Sequence, residues 1–379
     1  MPFYPYVIEV GKDMKVAWVY PQNHKCGIAT YSKRYTDALQ ACGLQIIHVR
    51  WNRDTPDIKT VSKIINGCDL VHIQYEQSIF LKNRKELFAP LCALISRPIV
   101  VSLHEIYRQF PGVFPKENIT GPFLLLKKAV YDFRHPAVTA FSRVVKKNFF
   151  SDLVLVHHHY HKEILLQNGT DEKLVEVLPH PVSCNPDISY SAKKFDKRIE
   201  LGCAGFINPQ YDYALLFNAL SGLKIDWKFT WIGGLRESRH REVLQKIFED
   251  IKTRGWEKKI IITGWLKKEA FRERIQNLDI ALCLFSHRSS SETIGDLLSA
   301  GVTVVATDIE MTREIEEAYS AIQLCSFDPH SVSQTVTKIC SDSQLREQFS
   351  RGAKKYCEQN SYCTMAEKMK GTYERILCV

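Results

Sequence analysis

The sequence predicts an α/β protein built from two doubly wound parallel sheets. Three observations carry this. Short apolar runs of strand length alternate with segments of helical period along nearly the whole chain. A polar, charged stretch at 185–198 (NPDISYSAKKFDKR) breaks the alternation, which then restarts. The length, 379 residues, suffices for two domains of ordinary size.

In order, 15–20 (KVAWVY) reads as a strand, 21–26 as a polar loop closed by Gly27, and 28–39 as a helix with Tyr31, Tyr35 and Leu39 on one face. Strands follow at 44–49, 69–74 and 99–103, with a helix at 62–66. Two of these strands run directly into polar residues, Tyr75 and Glu76 after one, His104 and Glu105 after the other. Residues 153–157 and 174–178 repeat the strand pattern. Beyond the linker come a strand and turn at 199–205, a helix at 213–220, a strand at 227–232 ending in Gly233 and Gly234, a helix at 241–254, a strand at 259–263 ending in Gly264, and a helix at 269–277. The final segment, 361–377, is a helix with Met365, Met369, Tyr373 and Leu377 on one face, which must lie on something apolar.

The stretch 279–308 organises the second half. An apolar strand at 280–285 leads through a hydroxyl-rich charged loop, 287–293, into a helix at 293–300 that carries Ile294, Leu297 and Leu298 on one face. Gly301 ends that helix and 302–306 is again a strand. A loop from a strand into a helix puts free backbone N–H groups and a positive dipole end at the strand's carboxyl edge, a ready phosphate site. Ser290, Ser291 and Thr293 serve equally as ordinary helix caps, and Arg288 adds positive charge.

Composition narrows the class. Hydrophobic residues at 45% and charged residues at 25% are those of a soluble globular chain. There is no apolar run of bilayer length and no signal peptide with a cleavage site, and the aromatic opening MPFYPYVIEVGKD reads either as an extension before Met14 or as a start placed upstream of it. The 12 cysteines are scattered without a CxxC pair, so neither a zinc site nor a disulfide framework is expected. Cys203 and Cys283 read as reduced core residues, which gives a cytoplasmic expectation. The net charge of +9 favours anionic partners. No basic, aromatic-interleaved reading motif points to nucleic acid. Segment 121–150 mixes Lys and Arg with Leu, Phe and Val; it is either ordinary helix surface or a basic amphipathic face for an anionic membrane. His157, His158, His159 and His161 look like a metal cluster, but adjacent strand residues point to opposite faces, so no metal is expected; one of them could contact sugar or acceptor, and exposed loop histidines are the simpler reading.

The order and spacing of these motifs resemble the GT-B fold of glycosyltransferases, in particular family 4 (group 1), over nearly the whole chain from Met14. GIATYSKRYTDAL (27–39) is similar to the family's first glycine loop and helix, and VHIQYEQ (71–77) and VVSLHE (100–105) resemble strands whose ends reach the sugar. HKEILLQNG and VEVLPHPV (161–169, 175–182) resemble the run into the linker. GFINPQYDYALLFNAL (205–220), FTWIGG and IITGWL (261–266) resemble the donor domain's first strand and loop, its second strand, and its base-holding loop. The resemblance implies an acceptor-binding domain over 14–185, a donor-binding domain over 199–355, and a segment 356–379 that crosses back onto the first, with a cleft between the domains that closes over substrate.

The same resemblance implies site residues. His104 and Glu105 would stand near the reacting carbon; Glu76 and Glu105, at neighbouring strand ends, are either candidate bases for an inverting reaction or solvated surface glutamates. Gly27, Ile28, Gly205, Asn208, Tyr211, Arg236, Gly264, Trp265, Leu266, Arg288, Ser290, Ser291, Glu292, Thr293, Ile294 and Asp296 would form the donor site. Four positions depart from the family pattern. Where the family carries two glutamates around the helix start, this chain has Arg288 and Asp296, and where it carries Arg and Lys after Gly205, this chain has Asn208 and Tyr211. Arg288, Arg236 and Arg239 are the nearest replacement cations, and Arg288 hints at an atypical donor sugar. The expectation is a retaining, hexosyltransferase-like enzyme that uses a nucleotide-diphosphate sugar, needs no cofactor or metal, and serves a glycan or lipid-linked acceptor, in the cytoplasm or at a membrane surface. The alternatives are a catalytically degenerate sugar-binding or partner subunit, and nucleotide-sugar epimerisation.

Overall fold

A computed structural model of the chain describes residues 14–22, 26–51, 57–76, 79–82, 85–106, 130, 133–134, 144–145, 147–184, 188–191, 193–207, 212–235 and 241–378. Contacts divide it into two compact units, Met1–His180 with Tyr362–Val379, and Pro181–Ser361.

The first unit contains β1 (Lys15–Pro21), α1 (Gly27–Ala41), β2 (Gln45–Trp51), α2 (Ile58–Asn66), β3 (Leu70–Tyr75), the short pair β4 (Leu81–Lys82) and β5 (Lys85–Glu86), α3 (Phe88–Cys92), β6 (Ile99–Leu103), β7 (Leu153–Val156), α4 (His159–Gln167) and β8 (Val175–Val177). The strand order is β2-β1-β3-β6-β7-β8, every pair parallel. β3 and β6 are buried along their whole length, as a parallel sheet covered on both faces requires. The expected strand at 174–178 is shorter in the structure, because Asp171 accepts from Lys173 N and winds Glu172–Leu174 into a 3-10 turn.

The second unit runs β9 (Arg198–Ala204), α5 (Tyr213–Ser221), β10 (Asp226–Ile232), α6 (Arg241–Thr253), β11 (Ile260–Ile262), α7 (Lys268–Gln276), β12 (Ile280–Cys283), α8 (Glu292–Ser299), β13 (Thr303–Thr307), α9 (Glu310–Tyr319), β14 (Ile322–Cys325), α10 (Pro329–Ser341) and α11 (Ser343–Gln359). Its order, β11-β10-β9-β12-β13-β14, reverses direction between β9 and β12. The sequence reading leaves 309–360 undivided. The structure resolves three helices and a strand there, with Asp328 capping α10 through Ser331 N and Asp342 capping α11 through Leu345 N.

The last helix, α12 (Tyr362–Leu377), belongs to the first unit. Its apolar face, Met365, Met369, Tyr373 and Leu377, packs with Trp18, Tyr31, Tyr35 and Leu39 in one buried cluster. Each such side chain contributes roughly 1.5–3 kcal/mol on burial. Polar contacts fix the docking: Tyr35 Oη donates to Met365 O at 2.9 Å, and Tyr373 Oη bonds His72 Nδ1. Among the described residues no helix is long and apolar enough to cross a membrane.

Candidate active site

In a doubly wound sheet, ligands bind beyond the carboxyl ends of the strands, at the point where strand order reverses. In the second unit that point lies between β9 and β12, and the loops leaving β9, β10, β11 and β12 form a continuous rim there. Gly205 follows β9 with φ +121°, and a Cβ placed on it would come 3.7 Å from Thr293 Oγ1 at the start of α8. Gly233 follows β10 with φ +145°, and a Cβ there would stand 2.0 Å from Gly205 O. Only glycine allows the two loops to approach this closely. Gly205 N donates to Ile232 O at 3.0 Å, and Ile207 N to Gly234 O at 3.1 Å, which locks the β9 loop to the β10 loop. The β11 loop joins through Thr263 Oγ1, which accepts from Gly233 N at 3.1 Å. Trp265, 54% exposed, meets Phe206 edge-on with centroids 5.1 Å apart.

The loop after β12 completes the rim. Ser291 is the N-cap of α8 and accepts from Ile294 N at 3.3 Å, so the cap reading of this serine holds in the structure. Ser289 is buried. Arg288 donates through Nε to Ser290 O at 3.1 Å and lies over the Phe285 ring at 5.7 Å. Burial, with Arg288 beside it, holds the His287 pKa below its ordinary value. Ile294 is fully buried, whereas Ser290, Glu292, Thr293 and Asp296 are half-buried. Gly264 and Leu266 are half-buried beside Trp265. Asn208, Tyr211, Arg236 and Arg239 lie outside the described residues, as does most of 121–150.

In the first unit α1 opens at Gly27, with no side chain capping it; Gly27 is exposed and Ile28 half-buried. Tyr31, one turn along, is the hub of a buried ring cluster: its centroid is 4.9 Å from His104, 5.0 Å from His180 and 5.9 Å from His157. His104, at the end of β6, bonds Gln74 Oε1 through Nε2 at 2.8 Å. Since an amide oxygen only accepts, that nitrogen carries the proton. His72 sits deeper, between Ser102 Oγ at 2.7 Å and the Tyr373 hydroxyl. Burial drives both rings toward the neutral form, with pKa values lowered to about 3; His104 adds to the effect on His72, and His180 to that on His104. His104 is therefore a neutral hydrogen-bonding group near pH 7 and not a carrier of charge. Glu105 is exposed and Glu76 half-buried.

The histidine run requires a correction. His157 follows β7 and His159 already begins α4, so the chain turns between them and strand alternation does not apply. His157 and His161 are buried, not exposed; His158 is half-buried and only His159 is exposed. His157 Nδ1 donates to Leu178 O at 3.1 Å, and burial keeps its pKa well below the ordinary value. Among the described residues no group of three or more His, Cys, Asp or Glu side chains could hold a metal ion. Sequence reasoning marked Gly233 and Gly234 only as the end of a strand, and assigned neither these nor Phe206 and Thr263 to the rim, nor Gln74, His72 and His180 to the surroundings of His104. A Gly-Gly pair directly after a strand was the available signal for Gly233 and Gly234.

Two six-stranded parallel sheets flanked by helices, one in each unit, define the GT-B fold of glycosyltransferases. The family described as Glycosyl transferases group 1 matches residues 186–356, nearly the whole second unit. Among solved structures, Anabaena HepE in complex with UDP and glucose is similar at 13% identity and a TM-score of 0.71, over 96% of this chain and 100% of that one. Sucrose-phosphate synthase from Thermosynechococcus elongatus aligns at 11% identity and a TM-score of 0.70, over 96% and 99%. A glycosyltransferase from Rickettsia africae aligns at 16% identity and a TM-score of 0.66, again over 96% and 99%. No curated protein matches the sequence.

Proposed function

We propose that the chain is a glycosyltransferase that moves a sugar from a nucleotide-diphosphate sugar to an acceptor hydroxyl. The observation that carries this reading is the rim at the β9/β12 reversal, where Gly205 and Gly233 bring bare backbone beside Thr293 and the start of α8. The match of 186–356 to glycosyl transferases group 1, and the UDP and glucose held by Anabaena HepE, support a nucleotide-sugar donor.

In this reading the diphosphate rests on the start of α8, from Ser290 to Ile294, and on the backbone of Gly205. The base lies along Gly264, Trp265 and Leu266, and Asp296 accepts from the ribose hydroxyls. Backbone amides and a helix dipole aimed at the leaving diphosphate supply the charge stabilisation that dominates such chemistry. Arg288 adds a cation where the family carries a carboxylate, and offsets the negative charge that Glu292 brings to the same helix start. The first unit receives the acceptor, a glycan or lipid-linked glycan. Neutral His104 offers hydrogen bonds to the sugar. Retention fits best, with the departing diphosphate oxygen taking the acceptor's proton; under inversion Glu105 or Glu76 would be the base. The expected place of action is the cytoplasm or its membrane surface.

Isothermal titration with UDP, GDP, ADP and CDP tests this. One of them should bind in the micromolar range, and Asp296→Ala should weaken that binding about tenfold. Binding of none would favour a sugar-binding or partner subunit, and an unchanged affinity in Asp296→Ala would remove the ribose assignment.

A further inference from the structure

The second unit begins and ends at one place. Val182 N donates to Asn360 O at 2.8 Å, and Val182 pairs with Ser361 in a parallel bridge. Two residues beyond Val182, the exposed Cys184 places its Sγ 2.9 Å from the carbonyl oxygen of Cys357, on the last turn of α11. The two thiols also bond each other, and the Tyr190 hydroxyl bonds the Cys357 thiol. Cys357 is buried at 1% exposure while Cys184 is exposed, so the pair joins one accessible and one buried cysteine. No disulfide joins them in the structure, where both are free.

We propose that Cys184 and Cys357 are a reversible thiol pair, closed to a disulfide by a peroxide and reopened by a dithiol. The Cys184 thiolate attacks a peroxide oxygen, the O–O bond breaks, and Cys184 becomes a sulfenic acid as hydroxide leaves and takes up a proton. The Cys357 sulfur then attacks the sulfenic sulfur; the S–S bond forms and the S–O bond breaks, releasing a second water. The two sulfurs together lose two electrons and the peroxide oxygens gain them. Donation from the Cys357 thiol lowers the Cys184 pKa, which favours the nucleophilic thiolate at the exposed position. The bond to Cys184 and burial raise that of Cys357, which suits a group that reacts second.

The bond would close a loop from 184 to 357, nearly the whole of the unit Pro181–Ser361. It would tie together the two segments through which the chain enters and leaves that unit. Because a cross-link over so long a loop restricts the unfolded chain, the thermal midpoint of the second unit should rise by about 10 °C. This inference is independent of glycosyl transfer and of any donor.

The test treats the full chain with a small excess of hydrogen peroxide, alkylates remaining thiols, and maps linked peptides by mass spectrometry alongside thermal unfolding. A Cys184–Cys357 cross-linked peptide, a raised midpoint, and reversal of both by dithiothreitol are expected. Cys184→Ser should abolish all three, while Cys363→Ser, which removes a different exposed thiol, should leave them intact. Should Cys357→Ser fail to fold, the exposed Cys184→Ser variant still decides the matter. Sulfinic acid at Cys184, a cross-link from Cys184 to any other cysteine, or an unmoved midpoint would overturn the proposal.

Discussion

Acidification from pH 7 to pH 5 should cost the first unit about 4 kcal/mol through His72 and His104. Both rings are buried, and both have pKa values lowered from 6.5 to about 3. The sign follows directly. Above pH 6.5 both folded and unfolded chains carry neutral rings, and these groups change nothing. Below it the unfolded chain takes up protons that the folded unit refuses, so stability falls until the pH approaches the folded value near 3. Between pH 7 and pH 5 a single such histidine loses about 2 kcal/mol, and two lose about 4. His157, whose pKa burial also lowers, acts in the same direction. Against a typical total of about 5–15 kcal/mol this is a large fraction. The assay is hydrogen exchange read by mass spectrometry at the two pH values, corrected for intrinsic exchange, on peptides covering β3, β6 and α12. Peptides from β9, β12 and β13 serve as the internal comparison, because none of the three histidines lies in that unit. A loss below about 1 kcal/mol in β3 and β6, or an equal loss in both units, would refute the reasoning.

Other outcomes follow from single contacts. Gly233→Ala puts a methyl 2.0 Å from Gly205 O at a positive φ, so it should destabilise the second unit by about 3 kcal/mol or more and abolish nucleotide binding, measured by thermal unfolding and titration. Ser291→Ala removes the α8 cap and should cost about 1 kcal/mol in chemical denaturation, with a smaller effect for Ser291→Asp. Tyr373→Phe leaves His72 Nδ1 without its hydroxyl partner and should cost about 1–3 kcal/mol, freeing α12 to exchange faster. Gln74→Leu should release His104 Nε2 and reduce kcat about tenfold in a donor-hydrolysis assay while leaving nucleotide affinity unchanged.

The site was legible where it depends on local chemistry. A serine ahead of a helical run at 291 is a cap in the structure, as local propensity requires. A glycine after each of β9, β10 and β11 marks a sharp loop whatever the fold around it. What those glycines approach is another matter: Gly205 meets Gly233 and Thr293, residues 28 and 88 positions away, and no local pattern encodes that meeting. The histidine run shows the limit best. Its residues look alike in sequence, yet β7 ends at Val156 and α4 starts at His159, so one ring enters the Tyr31 cluster and another faces solvent.

By itself the sequence determined the alternation of strands and helices, the break near 185–198, and the apolar face of the last helix, because period and composition act over a few turns of chain. Only the tertiary structure decided the order of strands, and with it the reversal between β9 and β12 that collects four distant loops on one edge. It also decided that α12 closes the first unit over Tyr35 and His72, since an apolar stripe requires a partner without specifying which one.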